Sequence, residues 1–193
     1  MELLRDKKVE EQFHTLVKKF LTKNDEYDIS RFIGGMPITL ERGDVSSLLY
    51  KNTYSVTQKV DGTRVLMYIG YNNATSGVKQ RTVCFIDRNM KIYTIRDSVR
   101  SILPYVNTPE MLLDGELVFF DKDGISHKEL DYRFVKGISF MAFDMLFGPE
   151  DISISSSGEK VIGQSFSMIV PSDGKLKTFE WKYINRYDIL YKI

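Results

Sequence analysis

From about residue 50 onward the chain becomes a succession of short runs rich in β-branched and aromatic residues, each closed by turn residues. Nothing else in the sequence constrains the fold as strongly. Residues 53–60, 64–71, 81–86 and 92–95 form four such runs, and the polar pentapeptide Asp87-Arg88-Asn89-Met90-Lys91 is a hairpin connection between the last two. Residues 96–103 fit one short helix stopped by Pro104. Two longer, more apolar runs follow, 111–120 and 134–147, with a turn at Asp121-Lys122-Asp123-Gly124 after the first. Many strands joined by short polar links predict an α+β domain built on a twisted, mainly antiparallel sheet with flanking helices.

The main helices are expected at the two ends of the chain. Across residues 8–22, Val9, Phe13, Leu16, Val17, Phe20 and Leu21 recur at three- and four-residue steps. Acids lead and Lys18, Lys19 and Lys23 trail, as the helix dipole favours. The polar face carries both signs, so this is a packing helix rather than a membrane-surface one. Residues 1–25 are therefore assigned to an N-terminal packing element and 31–147 to the core that bears the chemistry. Residues 148–175, rich in Ser, Gly and Pro, read as a surface insertion, a hairpin around the apolar stretch 166–170. Residues 183–193 read as a C-terminal helix, with Ile184, Tyr187, Leu190 and Tyr191 at helical steps and no stop signal before the last residue. The chain is accordingly expected to be cut from a longer protein.

The 193 residues suit a single domain able to bury about 70% of its unfolded surface. Lys+Arg total 27 and Asp+Glu 26, a net charge of +1, which excludes a uniformly basic nucleic-acid coat but leaves room for a local basic groove. Cys84 is the only cysteine and cannot close an internal disulfide. With two histidines, His14 and His127, there is no Cys/His set for a structural zinc. This usage points to an intracellular, reducing setting. No apolar stretch approaches the ~18 residues of a membrane span.

The strongest chemical signal is Lys59-Val60-Asp61-Gly62-Thr63-Arg64. A lysine ending a strand, a glycine permitting a tight turn and an arginine opening the next strand could present a nucleophilic amine beside a phosphate-binding cation. Asp114-Gly115-Glu116-Leu117 sets two carboxylates inside an apolar run, and Asp144 follows Phe140-Met141-Ala142-Phe143 in another. Buried charge costs several kcal/mol unless paired, so these acids must face a polar site or a strand edge. Three places where charge meets a buried strand fit one cleft lined by strand ends.

Further segments extend the pattern. Phe85-Ile86-Asp87-Arg88 is followed by Ile92-Tyr93, Leu112-Leu113-Asp114-Gly115-Glu116-Leu117 comes next, and then the apolar strand from Phe140 to Leu146. Gly34-Gly35-Met36-Pro37-Ile38-Thr39-Leu40-Glu41-Arg42 lies upstream. Over residues 31–147 and in this order, the chain resembles the nucleotidyltransferase domain of mRNA capping guanylyltransferases, relatives of the ATP-dependent DNA and RNA ligases. The resemblance implies a ligase-type, ATP-grasp-like nucleotidyltransferase fold. It implies that Lys59 is the nucleophile that takes GMP from GTP as a lysyl phosphoamide, for transfer to a 5′-diphosphate RNA end. It also implies that Arg64 and Glu116 contact the ribose, that Arg88 lies near the phosphates, that Asp61 belongs to the nucleotide-binding loop, and that Phe143 or Phe140 stacks on the base. Strict alternation sets Phe143 and Asp144 on opposite faces, which leaves that choice open.

An ordinary lysine amine is almost wholly protonated at pH 7, and nearby cations with a divalent metal, Mg²⁺ or Mn²⁺, would free its lone pair and offset phosphate charge. The metal's ligands are not legible in the sequence. Ligases carry a glutamate two residues before the lysine, where Thr57 stands here. A hydroxyl can donate to guanine O6, so GTP is expected over ATP. The competing readings are the adenylation domain of an ATP-dependent polynucleotide ligase and a truncated, non-catalytic domain of a capping protein. Asp173-Gly174-Lys175 and Glu180-Trp181-Lys182 resemble the family's later motifs only superficially and stand too close together. The chain is thus expected to stop before those motifs and before the usual OB-fold domain, as part of a viral-type multifunctional capping enzyme. The resemblance further implies RNA triphosphatase and cap methyltransferase partners, and a cytoplasmic (viral factory) or nuclear location.

Overall fold

The computed structural model describes residues 2–3, 7, 10–15, 32, 41–51, 59–73, 79–94, 110–128, 135–149, 152–157, 160–162, 166–168, 171–172, 175–176 and 190. Its frame is an eight-stranded antiparallel sheet. The strands in chain order are β1 (Glu2–Leu3), β2 (Thr63–Asn73), β3 (Lys79–Ile86), β4 (Ile92–Thr94), β5 (Met111–Phe120), β6 (Ser126–His127), β7 (Gly137–Pro149), β8 (Ile152–Ile154), β9 (Lys160–Ile162), β10 (Phe166–Met168), β11 (Pro171–Ser172) and β12 (Lys175–Leu176). Across the sheet the order is β1-β4-β3-β2-β5-β7-β10, with β6 paired to the far end of β5. The pairs β8-β9 and β11-β12 form two small separate hairpins. A mainly antiparallel sheet with few helices agrees with the α+β class expected from the sequence.

The central strands read as almost continuous apolar runs because both faces of the sheet are covered. One face carries Leu66, Tyr68, Cys84, Ile86, Leu112, Leu146 and Phe147, closed over by Phe13 from the helical residues 10–15. The Phe13 and Tyr68 rings lie 5.6 Å apart at a tilt, an arrangement favoured by the ring quadrupoles. The other face carries Val65, Met67, Ile69, Val83, Phe85, Leu113 and Met145, and Leu190, which is helical, packs against it. Of the helices expected over 8–22 and 183–193, only residues 10–15 and 190 are described, and the rest lie outside the described residues. The Tyr68 hydroxyl donates to the Glu110 carboxylate, which satisfies the polar tip of a buried ring. Burial pushes the Cys84 thiol up to about 12, leaving it a small core hydrophobe rather than a nucleophile.

Four expectations need correction. Lys59 does not end a strand: Lys59 and Val60 have no regular structure, and β2 opens at Thr63. The rest of the run expected at 53–60 lies outside the described residues, as do the helix expected at 96–103, Asp173, Gly174 and residues 180–182. The helix Arg42–Lys51 was not expected, because the one apolar step of Val45, Leu48 and Leu49 is short and stands among the weak helix formers Gly43, Asp44, Ser46 and Ser47. The stretch 148–175 is more than a surface hairpin, since Phe166–Met168 pairs with the end of β7 and extends the main sheet. Finally, β7 breaks strict alternation twice, and this decides the geometry of the site.

Candidate active site

The site is built on one face at the end of the sheet where β2 begins. The register sets Arg64 opposite Glu116 and Leu66 opposite Asp114, so Arg64, Asp114 and Glu116 share the face that carries Leu66 and Leu112. Arg64 donates from Nε to Asp114 Oδ1 at 3.0 Å and from Nη2 to Asp114 Oδ2 at 2.6 Å. Both side chains are nearly closed to solvent, at 8% and 2% exposure, so this is a buried bidentate ion pair. Burial raises the Asp114 carboxyl above its ordinary range and the neighbouring Asp144 adds to this, while the Arg64 guanidinium and the Gly115 N–H oppose them.

Aromatic rings complete the setting of Arg64. Its guanidinium carbon lies 5.3 Å from the ring centre of Phe32 and 5.3 Å from that of Phe143. Phe143 reaches this position through a β-bulge. Asp114 pairs with Asp144 but Gly115 pairs with Ala142, so Phe143 is an extra residue on β7, and a second slip leaves Leu146 extra. The first bulge lets Phe143 and Asp144 both act on the Arg64–Asp114 pair, which strict alternation forbids. Phe140 lies on the opposite face, its ring 6.0 Å from that of Phe85. Of the two phenylalanines, Phe143 is therefore the one beside Arg64.

The motif glycines have packing reasons. A Cβ on Gly62 would stand 2.7 Å from the Leu117 carbonyl oxygen, so only glycine lets the Lys59 segment pass this close to β5. A Cβ on Gly115 would meet Phe140 Cζ at 2.5 Å and the Met141 carbonyl oxygen at 2.6 Å. Gly115→Ala is expected to lower unfolding stability by about 1–3 kcal/mol through overpacking, read as a shifted denaturant midpoint at unchanged slope. Thr63 donates from Oγ1 to the Lys128 carbonyl at 2.9 Å and ties the start of β2 to the end of β6.

Glu116 marks the centre of the site. Its Oε2 is buried and, among the described residues, has no hydrogen-bond partner, a state that costs free energy unless something else supplies a donor. Burial raises its carboxyl, Arg64, Lys59 and Arg88 draw it down, and Asp61 pushes it up. Lys59, Asp61, Arg64 and Arg88, all singled out in the sequence, thus each act electrostatically on Glu116. Lys59 and Asp61 are exposed on the segment ahead of β2, and Arg88 is exposed in the turn between β3 and β4. Asp87 builds that turn: its Oδ1 accepts from the N–H groups of Asn89 and Lys91, and its Oδ2 accepts from the Tyr93 hydroxyl. Thr57 lies outside the described residues. Among the described residues no group of three or more His, Cys, Asp or Glu side chains is arranged to hold a metal.

Phe32 was missed as a site residue, and Asp114, placed in the cleft by the sequence, was given no partner there. The cost of burying an unpaired carboxylate pointed to Asp114 needing a partner, but Phe32 lies in a segment with no strand or helix period to place it. Three cations around a carboxylate that lacks a donor, with an aromatic ring beside them, suit an anionic ligand that also brings hydroxyl groups.

Residues 2–147 match the family model of the mRNA capping enzyme catalytic domain. The chain belongs to that family. It is 25% identical over 201 residues to the mRNA-capping enzyme subunit alpha of Saccharomyces cerevisiae, covering 99% of this chain and 42% of that protein. It is 30% identical over 95 residues to the subunit alpha of Yarrowia lipolytica, covering 45% of this chain and 22% of the relative. It is 29% identical over 99 residues to an mRNA-capping enzyme of Danio rerio, covering 51% and 15%. The capping-enzyme domain therefore spans about two fifths of the length of the Saccharomyces relative. Among its described residues no helix is long and apolar enough to cross a membrane.

Proposed function

We propose that this domain is an mRNA guanylyltransferase that carries GMP on Lys59. The observation that carries the reading is the buried, donorless Oε2 of Glu116, within electrostatic reach of Lys59, Arg64 and Arg88. A ribose hydroxyl of GTP would supply the missing donor. The Lys59 amine, once deprotonated, attacks the α-phosphorus. A nitrogen–phosphorus bond forms, the bond to the bridging oxygen breaks, pyrophosphate leaves and the amine's surplus proton passes to solvent. In the second step a terminal oxygen of a 5′-diphosphate RNA end attacks the same phosphorus, the nitrogen–phosphorus bond breaks, and Lys59 takes a proton from solvent and departs as an amine. Arg88 offsets phosphate charge, Phe143 offers its ring to the base, and Arg64, held by Asp114, orients the nucleotide beside Glu116.

A divalent ion, Mg²⁺ or Mn²⁺, would enter with the triphosphate and take most of its ligands from phosphate oxygens, since the described carboxylates form no cage for it. Asp61, exposed ahead of β2, and Glu116 are the carboxylates of this locality that would approach it, and its part would be to neutralise phosphate charge. Removal of the 5′ γ-phosphate and methylation of the cap would fall to other domains or chains.

Incubation with α-labelled GTP or ATP and Mg²⁺, followed by denaturing electrophoresis, tests the reading. In the full-length protein GTP should leave a covalent label and ATP should not, because Thr57 offers a hydroxyl where ligases offer a carboxylate. Glu116→Ala should weaken labelling without moving its attachment site. Preferential labelling by ATP would reassign the domain to the ligases.

A further inference from the structure

We infer that Met141 is a substrate-contacting residue of this site, its thioether packing against the sugar and base edge of the bound nucleotide; this rests on the guanylyltransferase reading. Met141 pairs directly with Glu116 across β5 and β7, so its side chain stands on the Glu116 face, about 4.5–5.5 Å away between Cβ atoms. Its chain neighbour Phe140 goes to the opposite face and is covered there, yet Met141 remains 47% exposed. A single exposed apolar side chain is ordinary on a protein surface. This one lies beside a buried carboxylate oxygen that has no donor, two residues before the ring that meets Arg64. The row Arg64–Glu116–Met141 crosses three adjacent strands and presents a cation, an acceptor and an apolar surface in that order. A nucleotide whose ribose lies against Arg64 and Glu116 brings the flat apolar surface of its base alongside, where an apolar side chain on the next strand can meet it. An unbranched, polarizable thioether adapts to such a surface without needing a polar partner of its own.

The test measures GTP binding by titration calorimetry without divalent metal, alongside covalent labelling with it. Met141→Ala should weaken GTP binding about ten- to twentyfold, the loss expected for about two buried methylene-sized groups. It should raise the GTP concentration for half-maximal labelling by a similar factor and leave the maximal labelling rate within about twofold. Met141→Leu, of similar volume, should stay within about twofold of the native protein in both. Native GTP affinity in a folded Met141→Ala protein would overturn the inference while leaving the Lys59 adduct intact. Weakened binding in a protein that forms no adduct would support Met141 and remove the covalent reading. Failure of the native protein to bind GTP would overturn both.

Discussion

Replacing Lys59 with arginine is expected to reduce labelling by GTP by about a thousandfold or more while leaving the fold unchanged. Arginine stays protonated and has no lone pair to offer phosphorus, whereas removal of a nucleophile costs several orders of magnitude in rate. Lys59 is exposed and sits ahead of β2 in a segment without regular structure, so the substitution disturbs no packing. Its effect on unfolding should stay within about 0.5 kcal/mol. The measurement pairs the labelled adduct with a denaturation curve on the same sample. Persistence of the adduct in a folded Lys59→Arg protein would show that the phosphorus is carried elsewhere.

Asp114→Ala is expected to destabilise the protein by about 3–5 kcal/mol, the largest stability effect anticipated for a single side chain of the site. The reason is what it leaves behind: a guanidinium at 8% exposure stripped of a bidentate partner. The partner substitution distinguishes this from a cavity effect. Combining Asp114→Leu with Arg64→Met removes both charges, and an apolar pair of similar volume should recover more than half of the loss, because desolvation of the ion pair offsets much of its Coulomb attraction. The double variant should nonetheless label poorly, since Arg64 no longer orients the nucleotide. Chemical denaturation reads the first effect and GTP labelling the second. A loss below about 1 kcal/mol for Asp114→Ala would mean that the pair behaves as a solvated one.

Much of the sheet was legible before any coordinates. The runs at 64–71, 81–86, 92–95 and 111–120 lie within or nearly coincide with β2, β3, β4 and β5, because β-branched and aromatic residues between turn residues have few other ways to bury themselves. The helix Arg42–Lys51 was not legible. Val45 is 39% and Tyr50 93% exposed, and Gly43, Ser46 and Ser47 lower the helix propensity of so short a segment. Its start rests on local bonds, from Asp44 N–H to the Glu41 carbonyl and from Ser47 Oγ to the Asp44 carbonyl. The edge strand Phe166–Met168 was legible as apolar but not as part of the sheet, because that depends on β7 running on to Pro149 and offering an open edge.

The sequence by itself singled out the residues proposed to do the chemistry: a lysine two residues before an Asp-Gly pair, arginines at 64 and 88, and a glutamate set in an apolar run. These choices are local, since they depend on residue type, spacing and the cost of placing charge in a strand. Only the tertiary structure decided which phenylalanine meets Arg64 and what Arg64 holds. A bulge shifts every later side chain by one position, and its presence depends on how two strands 30 residues apart in the chain settle against each other. The pairing of Arg64 with Asp114 has the same origin, because their separation of 50 residues closes only when β2 and β5 take their register.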